Sequence, residues 1–499
     1  MPTALTSGRP ARLIIAFTVP LLIGNVFQQL YGFADAFVVG RTIGVDALAA
    51  VGSTGGLQFL LLGFTWGMSS GFAIPTAHAF GARDERGVRR SVAAGAILTA
   101  AAAVLLTAVA TTITPWLLVL MRTPPEIRQD ATTFIVVTFW GCTAMVAFNF
   151  LSNTIRALGD SRTPLVFLVL SCVLNVLLVW AFVSGLRMGV AGAALATITA
   201  QLTSVLACLW LIRARMPILH LHREDFRLTR AELLEPLRLG LPMGFQMSII
   251  ALGTLVLQYA LNRLGAPAVA AFTAAGRVDA LAIAPLQSFG LAMATFAAQN
   301  HGARLYHRIR VGVAQTCLMS AGFAVAVGAV NILAGPWLVR LFVGQGQEHV
   351  VQLAQVYLVS NGIPYALLGM LFVQRGTLQG LGRTVIPTTA GVMELITRVL
   401  AALLLTGPLG FLGACLASPL AWVAALIPLT WAYQHERRRL VDPRTPPRDD
   451  ALLEQAAVDP VVPTPYPPAA LEGASPVASD EALEAASEEA LLREQALPL

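Results

Sequence analysis

Long apolar runs broken by short polar stretches set the pattern of this chain. Their limits predict twelve helices, at about 13–39, 47–80, 91–114, 129–153, 163–185, 189–212, 237–262, 267–300, 311–335, 350–374, 386–407 and 411–434. Crossing a bilayer takes about 20 residues, and each run supplies that many. The second and eighth are longer and are expected to tilt or to project beyond the membrane. Arginines between the runs alternate in density. One side collects Arg9 and Arg12, Arg83 to Arg90, Arg156 and Arg162, Arg213 to Arg238, Arg304 to Arg310, Arg375 and Arg383, and Arg437 to Arg439. The sparse side has Arg41, Arg122, Arg128, Arg187, Arg263 and Arg340. The positive-inside rule then predicts a multi-pass protein of the inner (cytoplasmic) membrane, with both termini in the cytoplasm.

The pattern repeats at an offset of about 222 residues. Pro20 falls on Pro242, Gly81-Ala82-Arg83 on Gly302-Ala303-Arg304, and Pro115-Trp116-Leu117 on Pro336-Trp337-Leu338. Leu158-Gly159 falls on Leu381-Gly382, and Gly189 and Gly192 on Gly410 and Gly413. Each half holds an even number of spans, so both insert the same way up and are related by an axis along the membrane normal, with a path between them. The expected fold class is therefore all-α integral membrane, twelve transmembrane helices in two pseudo-symmetric six-helix lobes. The lobes are 1–212 and 237–435. A polar cytoplasmic linker, 213–236, is expected to carry a short amphipathic helix, and 436–499 reads as a disordered cytoplasmic tail.

Composition narrows the function. Charged residues make up 12% and hydrophobic ones 56%, against about 25% charged in soluble domains. The net charge of +6 sits largely in topology-setting loops and is no sign of nucleic acid. The five cysteines are isolated within apolar segments, which argues against disulfides and metal sites. No nucleophile–base pair, metal motif or nucleotide loop is present. The chain is expected to be neither an enzyme nor a cofactor protein, and to act as a monomer.

Polar residues inside the spans carry the candidate chemistry. Asn25, Gln28, Gly32 and Asp35 recur at spacings of three and four, which sets them on one helix face. A carboxylate at membrane depth costs roughly 2.5 kcal/mol or more. Asp35 is therefore expected to face a wet, protein-lined interior and to hold a translocated cation, most simply a proton; the alternative is an acid that only accepts hydrogen bonds from neighbouring helices. Asn25, Gln28, Tyr31, Asn149, Asn153 and Gln201 are candidate cavity residues, or else interhelical glue. Trp180, Met247 and Tyr365 join them as soft or aromatic wall candidates, with lipid contact or core packing as the alternative. In the second half, Arg277, Asp279, Glu394 and Arg398 form a candidate charge cluster of zero net charge. Glu394 and Arg398 are four apart and can pair, whereas Arg277 and Asp279 cannot face each other. The four read either as an interlocked salt-bridge cluster or as charge presented to the path.

Several motifs stand in order at matching spans: P-L-L-I-G-N-x-x-Q-Q-L-Y-x-x-A-D-x-x-x-V-G from Pro20, G-A-R after the second and eighth spans, R-A-L-G-D-S-R-T-P from Arg156, and Q-G-L-G-R-T-x-x-P from Gln379. Over about residues 10–435 the chain resembles the multidrug and toxic compound extrusion (MATE) family, in its DinF-like and archaeal type. The resemblance implies alternating access and export of varied, often cationic or amphipathic organic compounds, driven by inward H+ or Na+. It matches the family's first-span acid to Asp35, and it implies cation-site roles for Asn175 and Thr197. A second acid of related transporters is replaced by Val179, which favours H+ over Na+. The alternatives are a lipid-linked oligosaccharide flippase of the same superfamily, whose cavity would be more basic, and a non-coupled channel or scaffold.

Overall fold

The computed structural model describes residues 4–42, 45–120, 125–343 and 346–440. The first half contains α1 (Pro10–Thr42), α2 (Val45–Gly81), α3 (Glu85–Leu120), α4 (Pro125–Trp140), α5 (Cys142–Ala157), α6 (Arg162–Val179) with a π-helical turn (Trp180–Gly185), and α7 (Gly189–Arg215). The second contains α8 (Arg230–Asn262), α9 (Ala266–Gly302), α10 (Tyr306–Val343), α11 (Glu348–Gly362), α12 (Tyr365–Gly380), α13 (Val385–Leu409) and α14 (Phe411–Arg439). Among the described residues, nine helices are long and apolar enough to cross a membrane alone. The pairs α4–α5 and α11–α12 each make one further span, bent by 47° and 49°. With the 37-residue α2, twelve spans result. Large apolar side chains such as Leu318, Leu333 and Trp431 stand exposed around the bundle, where lipid is their solvent.

The two breaks fall where the sequence analysis predicts unbroken helices. Ile363 is the C-cap of α11, and Pro364 after it has no N–H to continue the ladder and stands at the N-cap of α12. In the first half Gly141 separates α4 from α5, and any side chain there would strike Ile198 of α7. The linker also differs from expectation. In place of one amphipathic helix it has two 3-10 turns, Pro217–Leu219 and Arg223–Phe226. From Thr229, a capping box with Glu232 then starts α8 inside the expected linker.

The internal repeat is written into the helix ends. Arg83 and Arg304 both adopt positive φ, 59° and 61°, as do Gly159 and Gly382, at 82° and 77°. At each of these four ends the next N–H reaches back five residues, as from Asp84 to Ala79 and from Leu305 to Asn300. This is the Schellman pattern, which satisfies carbonyls that a helix end leaves open. The G-A-R and L-G motifs are therefore caps. In the first half Asp160 adds a start signal for α6, its carboxylate accepting from the N–H groups of Arg162 and Thr163.

Glycines bring the halves into backbone contact. Gly67 and Gly71 of α2 lie against Met243 and Gly240 of α8, with no room for a Cβ on either. At the arginine-rich end the contact becomes reciprocal. A Cβ on Gly81 would meet the carbonyl of Gln299, and one on Gly302 the carbonyl of His78. His78 Nε2 lies 2.7 Å from the carbonyl of Gly380, while Gln299 donates to the carbonyl of Ala157 at 2.8 Å. His78 with Gln299, and Ala157 with Gly380, are repeat partners, so each half grips the other by the same route. Residues before α1 overlie this seam: Leu5 N–H donates to Gln299 Oε1 at 2.8 Å, and Arg308 donates to the carbonyl of Gly8.

Inside the second half, Glu394 accepts from Arg398 at 2.8 Å and from Arg375 of α12 at 2.9 Å, all three buried. This corrects the predicted four-residue cluster. Arg375, counted above as a loop arginine, replaces Arg277, which is exposed on α9, and Asp279 belongs to a separate hydrogen-bond group. One buried carboxylate is shared by two guanidiniums, leaving one positive charge in excess, so removing Glu394 would strand both arginines.

Two predictions follow from this packing. Gly81→Ala and Gly302→Ala should each weaken the seam by about 1–3 kcal/mol through overpacking, seen as a lower unfolding temperature and as faster alkylation of a cysteine placed at Ala77. Glu394→Gln should cost about 3–5 kcal/mol, whereas the triple change Arg375→Met, Glu394→Leu, Arg398→Met should cost clearly less in the same denaturation assay.

Candidate functional site

A cavity of about 330 Å³ opens among α1, α2, α4, α5, α6 and α7, wholly within the first half. Its apolar wall is Phe59, Leu62 and Trp66 from α2, Phe134 from α4, Met145 and Phe148 from α5, and Leu168 from α6. Its polar groups are Gln28, Gln58, Thr138, Asn149, Ser171, Thr197 and Gln201, and no charged side chain lines it among the described residues. The spacing explains the convergence. Thr197 and Gln201 are four apart on α7, Met145 and Asn149 four apart on α5, and Phe134 and Thr138 four apart on α4, so each helix turns one stripe inward.

Several of these polar atoms are unspent. Gln58 Nε2, Ser171 Oγ and Gln201 Oε1 are buried without a hydrogen-bond partner among the described residues. Thr138 and Asn149, by contrast, bond to carbonyls one turn back in their own helices. One turn beyond Ser171, Asn175 is fully buried and donates to Thr197 Oγ1 at 3.1 Å, while its own Oδ1 is left without a donor. Thr197 in turn donates to the carbonyl of Ala193. Val179, one further turn on, is buried in an apolar cluster with Phe134, Val183 and Ala193. Unsatisfied buried polar atoms cost about 1–3 kcal/mol each unless a ligand or water completes them. The arrangement can therefore receive a guest with an apolar body and a few polar contacts.

The residues singled out in the sequence divide. Gln28, Asn149, Thr197 and Gln201 line the cavity, with Asn175 directly behind Thr197. Asp35 and Tyr31 belong to α1, but their side chains lie outside the described residues. Asp35 is seven residues, two helical turns or about 10.5 Å, along α1 from Gln28.

Five candidates are corrected. Asn25 donates to Ser288 Oγ of α9 at 3.0 Å, so it ties the halves together and does not line the cavity. Asn153 is buried and accepts from Arg156 on its own helix. Trp180 is 65% exposed on the π-helical turn, a lipid-facing position. Met247 faces Gly63 across the α2–α8 contact. Tyr365 is buried in the second half beside Asp279. Sequence reasoning missed Gln58, Ser171 and Thr138. The four-residue step from Ser171 to Asn175 was the available signal, but serines and threonines within apolar runs equally bond their own backbone.

The MatE family profile matches the chain twice, over residues 20–181 and 242–405. The two matches divide the chain as the internal repeat does. Probable multidrug resistance protein YpnP of Bacillus subtilis (strain 168) is 29% identical over 378 residues, covering 76% of this chain and 84% of that protein. Probable multidrug resistance protein YoeA of the same organism is 27% identical over 439 residues, covering 85% and 93%. A solved outward-facing conformation of a multidrug resistance MATE family transporter of the MOP superfamily superposes with a TM-score of 0.82 at 24% identity, over 88% of this chain and 98% of that one, a likeness of fold. Two family matches that together span most of the chain, on a twelve-span helical bundle of the same fold, establish that this protein belongs to the MatE family of multi-pass, multidrug-efflux membrane transporters.

Proposed function

We propose that the chain is a cation-coupled antiporter, with H+ as the coupling ion, that exports cationic or amphipathic organic compounds by alternating access. The observation that carries this reading is the first-half cavity: aromatic, uncharged, with unpartnered polar atoms, and reached by the helix that bears Asp35. A neutral wall of Trp66, Phe59, Phe134 and Phe148 suits flat apolar bodies and holds a cation by its ring faces. An ionised Asp35 supplies the counter-charge, so a proton and a substrate cation compete for one acid. That competition is the elementary requirement for exchange.

The choice of H+ rests on what surrounds Asn175. Val179, packed among apolar side chains, provides no second carboxylate, and the oxygens near it, Asn175 Oδ1 and Thr197 Oγ1, are uncharged. A metal cation needs several oxygen ligands, whereas a proton needs one carboxylate. The sealed seam beneath the cavity supports alternating access with the arginine-rich end shut and, by the positive-inside argument, facing the cytoplasm. A flippase for lipid-linked oligosaccharides fits less well, since no arginine lines the cavity and Arg398 is paired with Glu394.

The energetics suffice. One proton moving down about 100 mV and one pH unit supplies about 2.3 and 1.4 kcal/mol, enough for a gradient of several hundred-fold for a neutral substrate. For a monovalent cation exchanged one for one the voltage contribution cancels, leaving about tenfold.

In proteoliposomes with a pH gradient or a Na+ gradient imposed separately, dye efflux should follow the pH gradient alone. Asp35→Asn should abolish it with expression and thermal stability near those of the wild type; full efflux by that variant refutes the scheme. Trp66→Ala should weaken binding of an aromatic cation about 2- to 30-fold, as expected for one cation–π contact, while leaving proton coupling intact, measured as dye affinity alongside internal pH.

A further inference from the structure

Asp279 occupies the middle of α9, thirteen residues or about 20 Å from its start. It is 5% exposed. Oδ2 accepts from Tyr357 OH of α11 at 3.0 Å, and Oδ1 accepts from Tyr365 OH of α12 in a close contact. Tyr365 O in turn accepts from Asn331 Nδ2 of α10 at 3.1 Å. The two tyrosines stand on opposite sides of the 49° break in the tenth span, so one carboxylate clamps both pieces of a broken helix. The titratable groups that face it are these two tyrosines, with Cys415 of α14 beside Tyr357. No charged side chain faces it among the described residues, in contrast to Glu394 with its two guanidiniums.

Fold maintenance does not explain this group. By the offsets that pair His78 with Gln299 and Ala157 with Gly380, Asp279 falls on Gln58 and Tyr365 on Cys142, and Tyr357 falls near Ile135, so the first half has neither an acid nor a tyrosine at these positions. The equivalent span there bends by 47° with none of these side chains. The bend is built by backbone, and the clamp is an addition peculiar to the second half.

Hydrogen-bond accounting gives the addition a consequence. An ionised carboxylate only accepts, and it satisfies both hydroxyl donors. A protonated one donates from one oxygen, so the bond to that tyrosine reverses and the tyrosine's own hydrogen loses its acceptor; at Tyr365, whose oxygen already accepts from Asn331, the clamp is weakened. A buried carboxylate without a counter-charge is the kind of group that takes up a proton when its surroundings change. We propose that Asp279 is a second proton site of this transporter, separate from Asp35, and that its protonation unclamps one side of the break between α11 and α12. The inference gives the coupling proton a place in the second half but does not require Asp35 to be the coupling acid.

The test uses the purified full chain and infrared spectra, which read the carbonyl stretch of a protonated carboxyl group. The alkaline-minus-acid difference of Asp35→Asn/Asp279→Asn is subtracted from that of Asp35→Asn, isolating one carboxyl. A titrating band is expected, and a flat result overturns the proposal. Should the double variant fail to fold, Tyr357→Phe and Tyr365→Phe in the Asp35→Asn background keep the acid and remove one donor each. Each should shift the midpoint of the carboxyl titration, and two unmoved midpoints overturn it. Spin labels at Val356→Cys and Leu367→Cys, on either side of the break in a chain freed of native cysteines, should change separation over the same pH range. A separation that ignores pH overturns the unclamping. Failure of the coupling scheme itself appears elsewhere, as gradient-driven efflux retained in Asp35→Asn.

Discussion

Hydrocarbon supplies no hydrogen bonds, so each polar atom within the bundle must find its partner inside the chain or in a water-filled space. That constraint sorts the buried polar groups of this protein into three kinds. Some have every acceptor oxygen spent, as Glu394 between Arg375 and Arg398. Others are spent across the two halves: Asn25 on Ser288, and Gln299 on Ala157 and Leu5. A third set keeps atoms in reserve among the described residues; it is spread over both halves, as at Ser320 and Asn361, and its members Gln58, Ser171, Asn175 and Gln201 lie in or beside the first-half cavity. The first kind holds a lobe together, the second holds the lobes to each other, and these four members of the third stand where a guest can be received.

The second kind shows how a duplicated fold is made into a mechanism. The glycines at Gly81 and Gly302 and the hydrogen bonds from His78 and Gln299 are exchanged between halves in mirrored order. Apolar packing flanks them: Ile14, Phe17 and Leu21 of α1 cluster with Phe289, Met293 and Phe296 of α9, and the rings of Phe64 on α2 and Phe245 on α8 meet edge-on. Opening the seam therefore has to part apolar surface as well as hydrogen bonds, of which only the latter are replaced by water. The helix ends nearby divide the work: four Schellman caps complete carbonyls within their own half, while the carbonyls of Ala157 and Gly380 are partnered by Gln299 and His78 of the opposite half.

The amino-acid pattern made the spans and the repeat readable, because twenty-residue apolar runs and arginine asymmetry are one-dimensional signals. It was weaker wherever the answer depended on a third helix. Arg375 lies near the end of its apolar run and so looked like a loop residue; only the packing of α12 on α13 brings it to Glu394. Trp180 looked like pocket wall, yet the π-helical turn and α6 aim it outward. Gln28, Asn149 and Gln201 were legible because each follows the inward stripe of its own helix. The pairing of Asn175 with Thr197 was available through family resemblance alone, since residues 22 apart on different helices leave no periodicity to follow.

The two halves share a backbone and differ in where they place acid. On the proposed reading the first half has Asp35 on its opening helix and an uncharged cavity, while the second has Asp279 clamped between tyrosines where the first has the neutral Gln58. A transporter of two identical lobes would respond to a proton symmetrically and would have no preferred order of events. Distributing the acids over different helices gives each lobe its own response: neutralising Asp35 removes the charge that competes for a cation, and neutralising Asp279 loosens a broken helix. The sequence of those two events, rather than the strength of either, would set the direction in which the cycle runs, and a shared fold with unshared acids is the simplest way for a duplicated chain to acquire such an order.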